Sequence, residues 1–153
     1  MQDRGAITIG VARREDGASI LSMLHELAAS EGAPHPPRLS PSALERDVFS
    51  ADPELHMLVA KNASGENVGF VSYHVNYSSW EGAAGIHIGD LWVSPVWRNL
   101  GIGGALLKHV IEANQHRRID VFVVKDNDAR FFYERFGFKE QTQWKLYRSE
   151  PGV

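Results

Sequence analysis

Three of four consecutive residues are glycine in a segment that begins with an arginine, Arg98-Asn99-Leu100-Gly101-Ile102-Gly103-Gly104. The segment lies between a run typical of a strand, residues 86–93, and one typical of a helix, residues 105–115. A helix N-terminus presents unpaired backbone N–H groups and the positive end of the helix dipole, and residues without a Cβ let a phosphate approach closely. The spacing therefore predicts a turn that binds a pyrophosphate.

This glycine turn differs from two common phosphate-binding motifs. No Gly-Lys-Ser/Thr follows it, and Gly101-Ile102-Gly103 lacks the third glycine of the dinucleotide fingerprint. The alternative is a tight turn whose glycines serve packing alone. The density of glycine, the preceding arginine and the proline turn at Ser94-Pro95 favour ligand binding.

The composition restricts the class of protein. The chain has 153 residues, 43% of them hydrophobic, which suits a single domain over residues 1–153 with a continuous core. Its net charge of −3 argues against a nucleic-acid surface and is compatible with a cationic small substrate. Met1–Gly5 has no signal-peptide character and no apolar run approaches the length that spans a membrane, so we expect a cytoplasmic protein without a membrane segment.

The order of elements predicts a mixed α/β fold. A turn signal at residues 62–65 joins two strands into a hairpin, and a strand–helix–strand crossover extends from Val93 to Ile119. The last strand of this crossover is short and apolar, which suits a buried parallel position. We predict strands over residues 6–11, 56–61, 68–75, 86–93, 119–124 and 144–148. We predict helices that begin near Asp16 or Ser19, at Ser40, at Ala105 and at Asp126.

Two segments together resemble the GNAT superfamily of acyl-CoA-dependent N-acetyltransferases. The signature Arg/Gln-x-x-Gly-x-Gly/Ala after Val-x-Pro is matched by Val93-Ser94-Pro95 and residues 98–103. A second family pattern, Asn-x-x-Ala-x-x-x-Tyr-Glu-x-x-Gly-Phe, is matched by residues 126–138, where Asp126 replaces the usual Asn. The resemblance implies a mostly antiparallel sheet with a β-α-β crossover at the cofactor.

Within the superfamily, the chain looks most like the spermidine/spermine and related diamine or thialysine acetyltransferases. Three runs support this narrower resemblance, residues 25–31, 77–82 and 89–93. It implies transfer of an acetyl group from acetyl-CoA to a primary amine of a small cationic substrate, by direct attack in a ternary complex, in a protein that forms homodimers. The runner-up is a catalytically degenerate acyl-CoA-binding module that senses the cofactor or regulates a partner.

The resemblance also implies where acetyl-CoA binds. Backbone N–H groups of residues 100–104, with the charge of Arg98, would hold the pyrophosphate, and residues 91–93 would pair with the pantetheine. A backbone N–H near Val93 would face the thioester oxygen. The predicted cofactor residues are Leu91, Trp92, Val93, Arg98, Asn99, Leu100, Gly101, Ile102, Gly103, Gly104, Asp126, Ala129 and Tyr133.

Tyr133 is the candidate general acid. In this family the matching tyrosine lies beside the thioester sulfur, and a phenol with a pKa of about 10 is protonated at neutral pH and can protonate the leaving thiolate. The alternative is that Tyr133 only packs among neighbouring phenylalanines. An acyl-cysteine route is excluded because the chain has no cysteine.

The general base departs from the family pattern. An alkylamine has a pKa of about 10.4 and must lose a proton before it attacks. The polyamine enzymes carry a glutamate where this chain has Gly89, so we predict His87, two residues earlier and on the same strand face, as the base. An ordinary strand histidine is the alternative. Strand alternation places Asp90 on the opposite face.

Four residues are predicted to bind the cationic acceptor, Glu31, Trp80, Glu81 and Asp90, with Trp80 adding a cation–π contact. The alternative for each is a solvated charge or a packed aromatic. Ser78 stands where the polyamine enzymes carry an acidic residue, so the sequence does not choose among a polyamine, an amino acid analogue and a drug as acceptor. His74, His109 and His116 lack the spacing of metal ligands, and no metal site is predicted.

Overall fold

The computed structural model describes residues 5–115 and 117–152. Met1–Arg4, His116 and Val153 lie outside the described residues, and so do the predictions made above for Met1–Arg4 and His116. The described residues divide into two compact units, one ending at Phe122 and the other beginning at Val123. The first contains β1 (Thr8–Val11), α1 (Gly17–Ser30), α2 (Pro41–Asp47), β2 (His56–Lys61), β3 (Asn67–Ser78), β4 (Ala83–Val93), α3 (Ile102–Ala113) and β5 (Ile119–Val121). The second contains α4 (Ala129–Arg135). The single domain over residues 1–153 stays a prediction.

The five strands form one mixed sheet in the order of the sequence, β1-β2-β3-β4-β5. The first three pairings are antiparallel, and β4 pairs with β5 in parallel. Helix α3 connects these two parallel strands, as such a pairing requires. The predicted α/β fold, with a mostly antiparallel sheet and one β-α-β crossover, is confirmed.

The two sheet faces are covered by different helices. On one face, Ile20 and Met23 of α1 pack in a core cluster that includes Phe70 and Trp92 from the sheet. On the other face, Leu106 of α3 lies so close to the sheet that a Cβ added at Gly69 would be 3.4 Å from its Cδ1 atom. We call the face that α1 covers the α1 face. It also carries the polar residues described below.

A buried carboxylate fixes the start of α1 to the sheet. Asp16 is 2% exposed and accepts hydrogen bonds from the Arg13 N–H at 2.8 Å and from Asn67 Nδ2 at 3.0 Å. Its Oδ1 also pairs with Lys61 Nζ at 2.5 Å. Burial would raise the pKa of Asp16, but these partners together lower it. Helix α1 therefore has a defined position on β2 and β3, and Glu31 follows at its C-terminal end.

The structure corrects the predicted ends of several elements. Among the described residues, 144–148 form no strand, and Trp144, Leu146 and Tyr147 are exposed. The prediction of a strand over residues 144–148 was therefore wrong. Alternating apolar residues favour an extended strand, but a strand also needs a neighbouring strand to pair with. Strand β5 ends at Val121 and is half-buried, while Phe122 and Val124 are exposed, so the predicted buried strand over residues 119–124 was too long.

Helix boundaries shift for reasons of local geometry. Helix α4 begins at Ala129 rather than Asp126, because Asp126 has φ +62° and the Asn127 side chain accepts a hydrogen bond from the Ala129 N–H at 2.8 Å. The predicted cap of α2 is confirmed, since Ser40 Oγ accepts from the Ala43 N–H. No helix among residues 5–115 and 117–152 is long and apolar enough to cross a membrane.

Candidate active site

Helix α3 begins directly on the glycine turn. Gly101 is the N-cap residue with φ +80°, a conformation that strains any residue with a Cβ. The first helical hydrogen bond is donated by the Ala105 N–H to the Gly101 carbonyl at 3.0 Å. The N–H groups of residues 102–104 therefore have no acceptor within the helix, and an anion at this end would find three donors and the helix dipole. The turn fits a pyrophosphate group.

Arg98 connects this turn to the end of β4. Its Nε donates to the Val93 carbonyl at 2.8 Å, and its guanidinium lies 4.3 Å above the centroid of the Trp92 ring. The sequence analysis expected Arg98 to contribute charge toward the cofactor. The structure adds a second role, because the arginine also holds the backbone between β4 and the turn.

The last residues of β4 present backbone groups at an edge that β5 does not occupy. The Ser94 N–H donates to the carbonyl of Val68 in β3 at 2.9 Å. Because donor direction alternates along a strand, the N–H groups of Leu91 and Val93 point away from β3. Strand β5 pairs with β4 only over Ile86–Ile88. Within the described part of the chain, no strand pairs with residues 91–93 on this edge, so an extended ligand could form hydrogen bonds there.

An extra residue in β4 reverses the face on which Asp90 lies. His74 of β3 pairs with His87, but Ser72 pairs with Asp90, so three residues of β3, 72–74, oppose four of β4, 87–90, and Gly89 is the surplus residue of a bulge. Ser72 and His74 share a face, and their partners Asp90 and His87 therefore share it too. The prediction that Asp90 points to the opposite face was wrong, because simple alternation does not hold across a bulge.

The bulge gathers polar side chains on the α1 face. Ser72, which is buried, donates from Oγ to Asp90 Oδ2 at 2.7 Å. The rings of His74 and His87 have centroids 5.1 Å apart, and Asp120 of β5 pairs in register with His87. We call Ser72, His74, His87, Asp90 and Asp120 the polar cluster. The sequence analysis missed Ser72, His74 and Asp120 as members, since only the strand pairings bring them beside His87.

The titratable groups of this region have displaced pKa values. Burial raises the pKa of Asp90, and the hydrogen bond from Ser72 and the charge of His87 offset part of that rise. The pKa of Glu31 is also raised, by burial and by the nearby charge of Asp90. Burial, followed by the charge of His74, lowers the pKa of His87 below its ordinary value of 6.5. Near neutral pH His87 is therefore an uncharged imidazole, which can accept a proton.

The four predicted acceptor-binding residues fall into two groups. Asp90 is close enough to Glu31 for its charge to contribute to the raised pKa of Glu31. Trp80, which is 94% exposed, and Glu81 lie at the hairpin between β3 and β4. Ser78 at the hairpin lies six positions beyond Ser72, the partner of Asp90, which is a distance of about 20 Å along the strand. The structure does not bring the two groups together.

The second unit carries the other predicted residues. Tyr133 is buried in α4, with its ring against those of Phe132 and Phe138. Gly137 has φ +85° and ends the helix as predicted, with the N–H groups of Gly137 and Phe138 donating to the carbonyls of Glu134 and Tyr133. Asp126 Oδ1 lies 3.9 Å from Arg130 Nη1. Across residues 5–115 and 117–152, no group of three or more His, Cys, Asp or Glu side chains could hold a metal ion.

Comparisons with known proteins agree with this arrangement. Residues 20–138 match the acetyltransferase (GNAT) family model. The thialysine N-ε-acetyltransferase of Mus musculus is 32% identical over 153 residues, covering 91% of this chain and 89% of the relative. The enzyme of the same name from Bos taurus is 31% identical and covers 94% and 92%. A crystal structure described as a probable acetyltransferase has the same fold, with a TM-score of 0.79 at 22% identity over 95% of this chain and 99% of that one.

These matches extend over nearly the whole chain and include both signature segments. They support an enzyme that transfers an acetyl group to an amine, and they do not favour the alternative of a degenerate sensor. The chain belongs to the GNAT family of N-acetyltransferases.

Proposed function

We propose that this enzyme transfers the acetyl group of acetyl-CoA to a primary amine of a small cationic acceptor, by direct attack while both substrates are bound. The observation that carries the proposal is that strand β4 carries two kinds of binding group. Its C-terminal edge presents the unpaired N–H groups of Leu91 and Val93 beside the glycine turn, and its α1 face carries the polar cluster between His87 and Asp90. The names of the thialysine acetyltransferases support an amine of this class as the acceptor.

The residues of the first unit fit an acyl-CoA molecule. We assign the pyrophosphate to the N–H groups of residues 102–104 and to Arg98, and the pantetheine to the backbone of Leu91 and Val93. Acetyl-CoA would supply the acetyl group as a thioester. Of the outward N–H groups near Val93, that of Leu91 lies nearer to Asp90 and the polar cluster and is our candidate donor to the thioester oxygen, where it would stabilise the negative charge that develops during attack.

The polar cluster provides the groups that an amine needs. Glu31 and Asp90 would attract and hold the ammonium form of the acceptor, and His87 would accept through water the proton that the ammonium must lose. The neutral amine then forms the N–C bond as the C–S bond breaks. We assign the proton that neutralises the leaving thiolate to the Tyr133 hydroxyl, on the match of residues 126–138 to the family pattern.

The first prediction concerns the glycine turn. Gly101→Val should weaken the binding of coenzyme A at least tenfold, because a β-branched residue is strained at φ +80° and would distort the turn. Calorimetric titration with coenzyme A measures the effect. The control is Gly65→Val, which imposes similar strain at φ +81° in the distant hairpin turn. Equal affinity in the Gly101 variant and the wild type would remove the turn from the binding site.

The second prediction concerns His87. His87→Ala should lower kcat about a hundredfold, because a positioned base contributes a factor of this order. In the wild type, kcat should fall as the pH drops through the pKa of His87, which lies below 6.5, and this acid limb should vanish in the variant. His109→Ala, which alters an exposed histidine of α3, serves as the control. An unchanged acid limb in His87→Ala would assign the base elsewhere.

The third prediction concerns Tyr133 and tests the proposed reaction itself. Wild-type enzyme with acetyl-CoA should release coenzyme A thiol when small primary amines are added. Tyr133→Phe should reduce this rate about a hundredfold and leave coenzyme A affinity within about twofold, because only the proton donor is lost. If no amine causes thiol release although coenzyme A binds, the proposed function is wrong. If Tyr133→Phe retains full turnover, only the role of Tyr133 is wrong.

The fourth prediction concerns assembly. We infer a homodimer, since Trp144, Leu146 and Tyr147 are 69%, 62% and 88% exposed within four residues of sequence, and clustered exposed apolar side chains favour a protein contact. Sedimentation equilibrium should give twice the mass of one chain. The double variant Trp144→Ser, Leu146→Ser should sediment as a monomer, whereas Val75→Ser, at an exposed apolar residue of β3, should not. A wild-type mass of one chain would contradict the inference.

A further inference from the structure

Phe122, the residue that follows β5, is an exposed aromatic in contact with the proposed base. Its side chain is 67% exposed, although phenylalanine is among the residues most often buried. The centroid of its ring lies 4.6 Å from that of His87, and the two ring planes are tilted by 59°. This distance and tilt are those of a favourable aromatic pair. The proposed reaction assigns no role to Phe122.

The strand register explains why the two rings meet. His87 of β4 pairs with Asp120 of β5, and side chains on one strand alternate between the two faces of the sheet. Phe122 and Arg118, two positions after and before Asp120, therefore share the α1 face with His87. Continuing the register places Phe122 beside Gly89, which has no side chain to separate the Phe122 ring from the imidazole.

Ring contacts, and not hydrogen bonds, hold the His87 imidazole. The His74 ring lies on its β3 side with the centroids 5.1 Å apart, and the Phe122 ring is closer on its β5 side. Within residues 5–115 and 117–152, neither nitrogen of the His87 ring has a hydrogen-bond partner. Asp120 is in register with His87, but its Oδ2 lies 3.6 Å from Arg118 Nε. A general base is commonly oriented by a hydrogen bond to a third group, and here the neighbouring rings take that place.

The titratable and charged groups around His87 come from each neighbouring element. They are His74 of β3, Asp90 of β4, Arg118 and Asp120 at β5, and Glu31 after α1. The charge of His74 disfavours the imidazolium, and the two aspartates favour it. Burial has the largest effect and lowers the pKa of His87. Because the apolar Phe122 ring contacts the imidazole, it contributes to this burial and helps to keep the base uncharged near neutral pH.

We propose that Phe122 is a positioning residue for the base, which holds the His87 imidazole in place and shields one side of it from solvent. Asp90 and His87 are separated by the spacing of their partners Ser72 and His74, which is two residues or about 7 Å. A water between the ammonium at Asp90 and a fixed imidazole can carry the proton across this gap. The proposal rests on the proposed acetyl transfer. A phenylalanine that only covers the end of β5 is the rival interpretation.

The experiment removes the ring and follows the pH dependence of the reaction with acetyl-CoA and a small primary amine. In Phe122→Ala, kcat on its high-pH plateau should fall about tenfold, because a loosely held base reaches the reactive geometry less often. KM for acetyl-CoA should change by less than about twofold, since no cofactor group is removed. The acid limb of kcat should move to higher pH, because the pKa of His87 rises toward 6.5 when the ring that buries it is lost.

Matched variants isolate the role of the ring. Phe122→Tyr keeps the ring and should retain the wild-type plateau and acid limb. Tyr77→Leu removes an aromatic ring that is 70% exposed, on the opposite face of the same sheet, and should change neither. An unmoved acid limb in Phe122→Ala, a loss of kcat that Phe122→Tyr shares, or an equal shift in Tyr77→Leu would overturn the proposal.

A titration without substrates separates this proposal from the proposed reaction. The Cε1–H proton resonance of His87 is identified as the one that His87→Ala lacks, and its pH titration reports the pKa of the ring directly. This pKa should be higher in Phe122→Ala than in the wild type and in Tyr77→Leu. Equal values in Phe122→Ala and the wild type would overturn the proposal even where acetyl transfer is observed. If the pKa rises as expected and no amine is acetylated, the ring contact stands and the proposed function alone fails.

Discussion

The extra residue at Gly89 is the constraint on which the candidate site depends. It places Asp90 opposite Ser72 and on the same face as His87, so that a carboxylate and an imidazole share one surface. A Cβ at Gly89 would lie 3.1 Å from Ser72 Oγ, the atom that donates to Asp90. A side chain at this position would therefore crowd the Ser72 hydroxyl and disturb the hydrogen bond that it donates to the Asp90 carboxylate. The absence of an acidic residue at Gly89 and the presence of one at Asp90 are parts of the same local arrangement.

In the proposed reaction, strand β4 serves two substrates because its edge and its α1 face have different neighbours. One edge pairs with β3 along the whole strand, while the other pairs with β5 only at Ile86–Ile88 and leaves residues 91–93 with outward N–H groups. Its α1 face is polar between His87 and Asp90. Arg98 then fixes the end of the strand to the turn from which α3 begins. The separation of cofactor groups at the edge from acceptor groups on the face follows from this single strand.

Charge is distributed unevenly along the α1 face. The carboxylates of Glu31 and Asp90 lie toward the C-terminal end of β4. Arg118 lies toward the hairpin end with Glu81 near it. The hairpin end of this face therefore carries both signs of charge, whereas Glu31 and Asp90 are both acidic.

Features that depend on residues close together in the chain could be predicted from the amino-acid sequence. The glycine turn, the cap of α2, the end of α4 at Gly137 and the crossover from β4 to β5 were predicted, because positive φ values, caps and periodicity are local properties. The two signature segments likewise fixed the family. The face of Asp90 and the side chains that surround His87 became apparent only from the pairing of the strands. Each depends on how many residues oppose one another in neighbouring strands, and residues 144–148 remained outside the sheet because a strand requires a partner that its own sequence cannot supply.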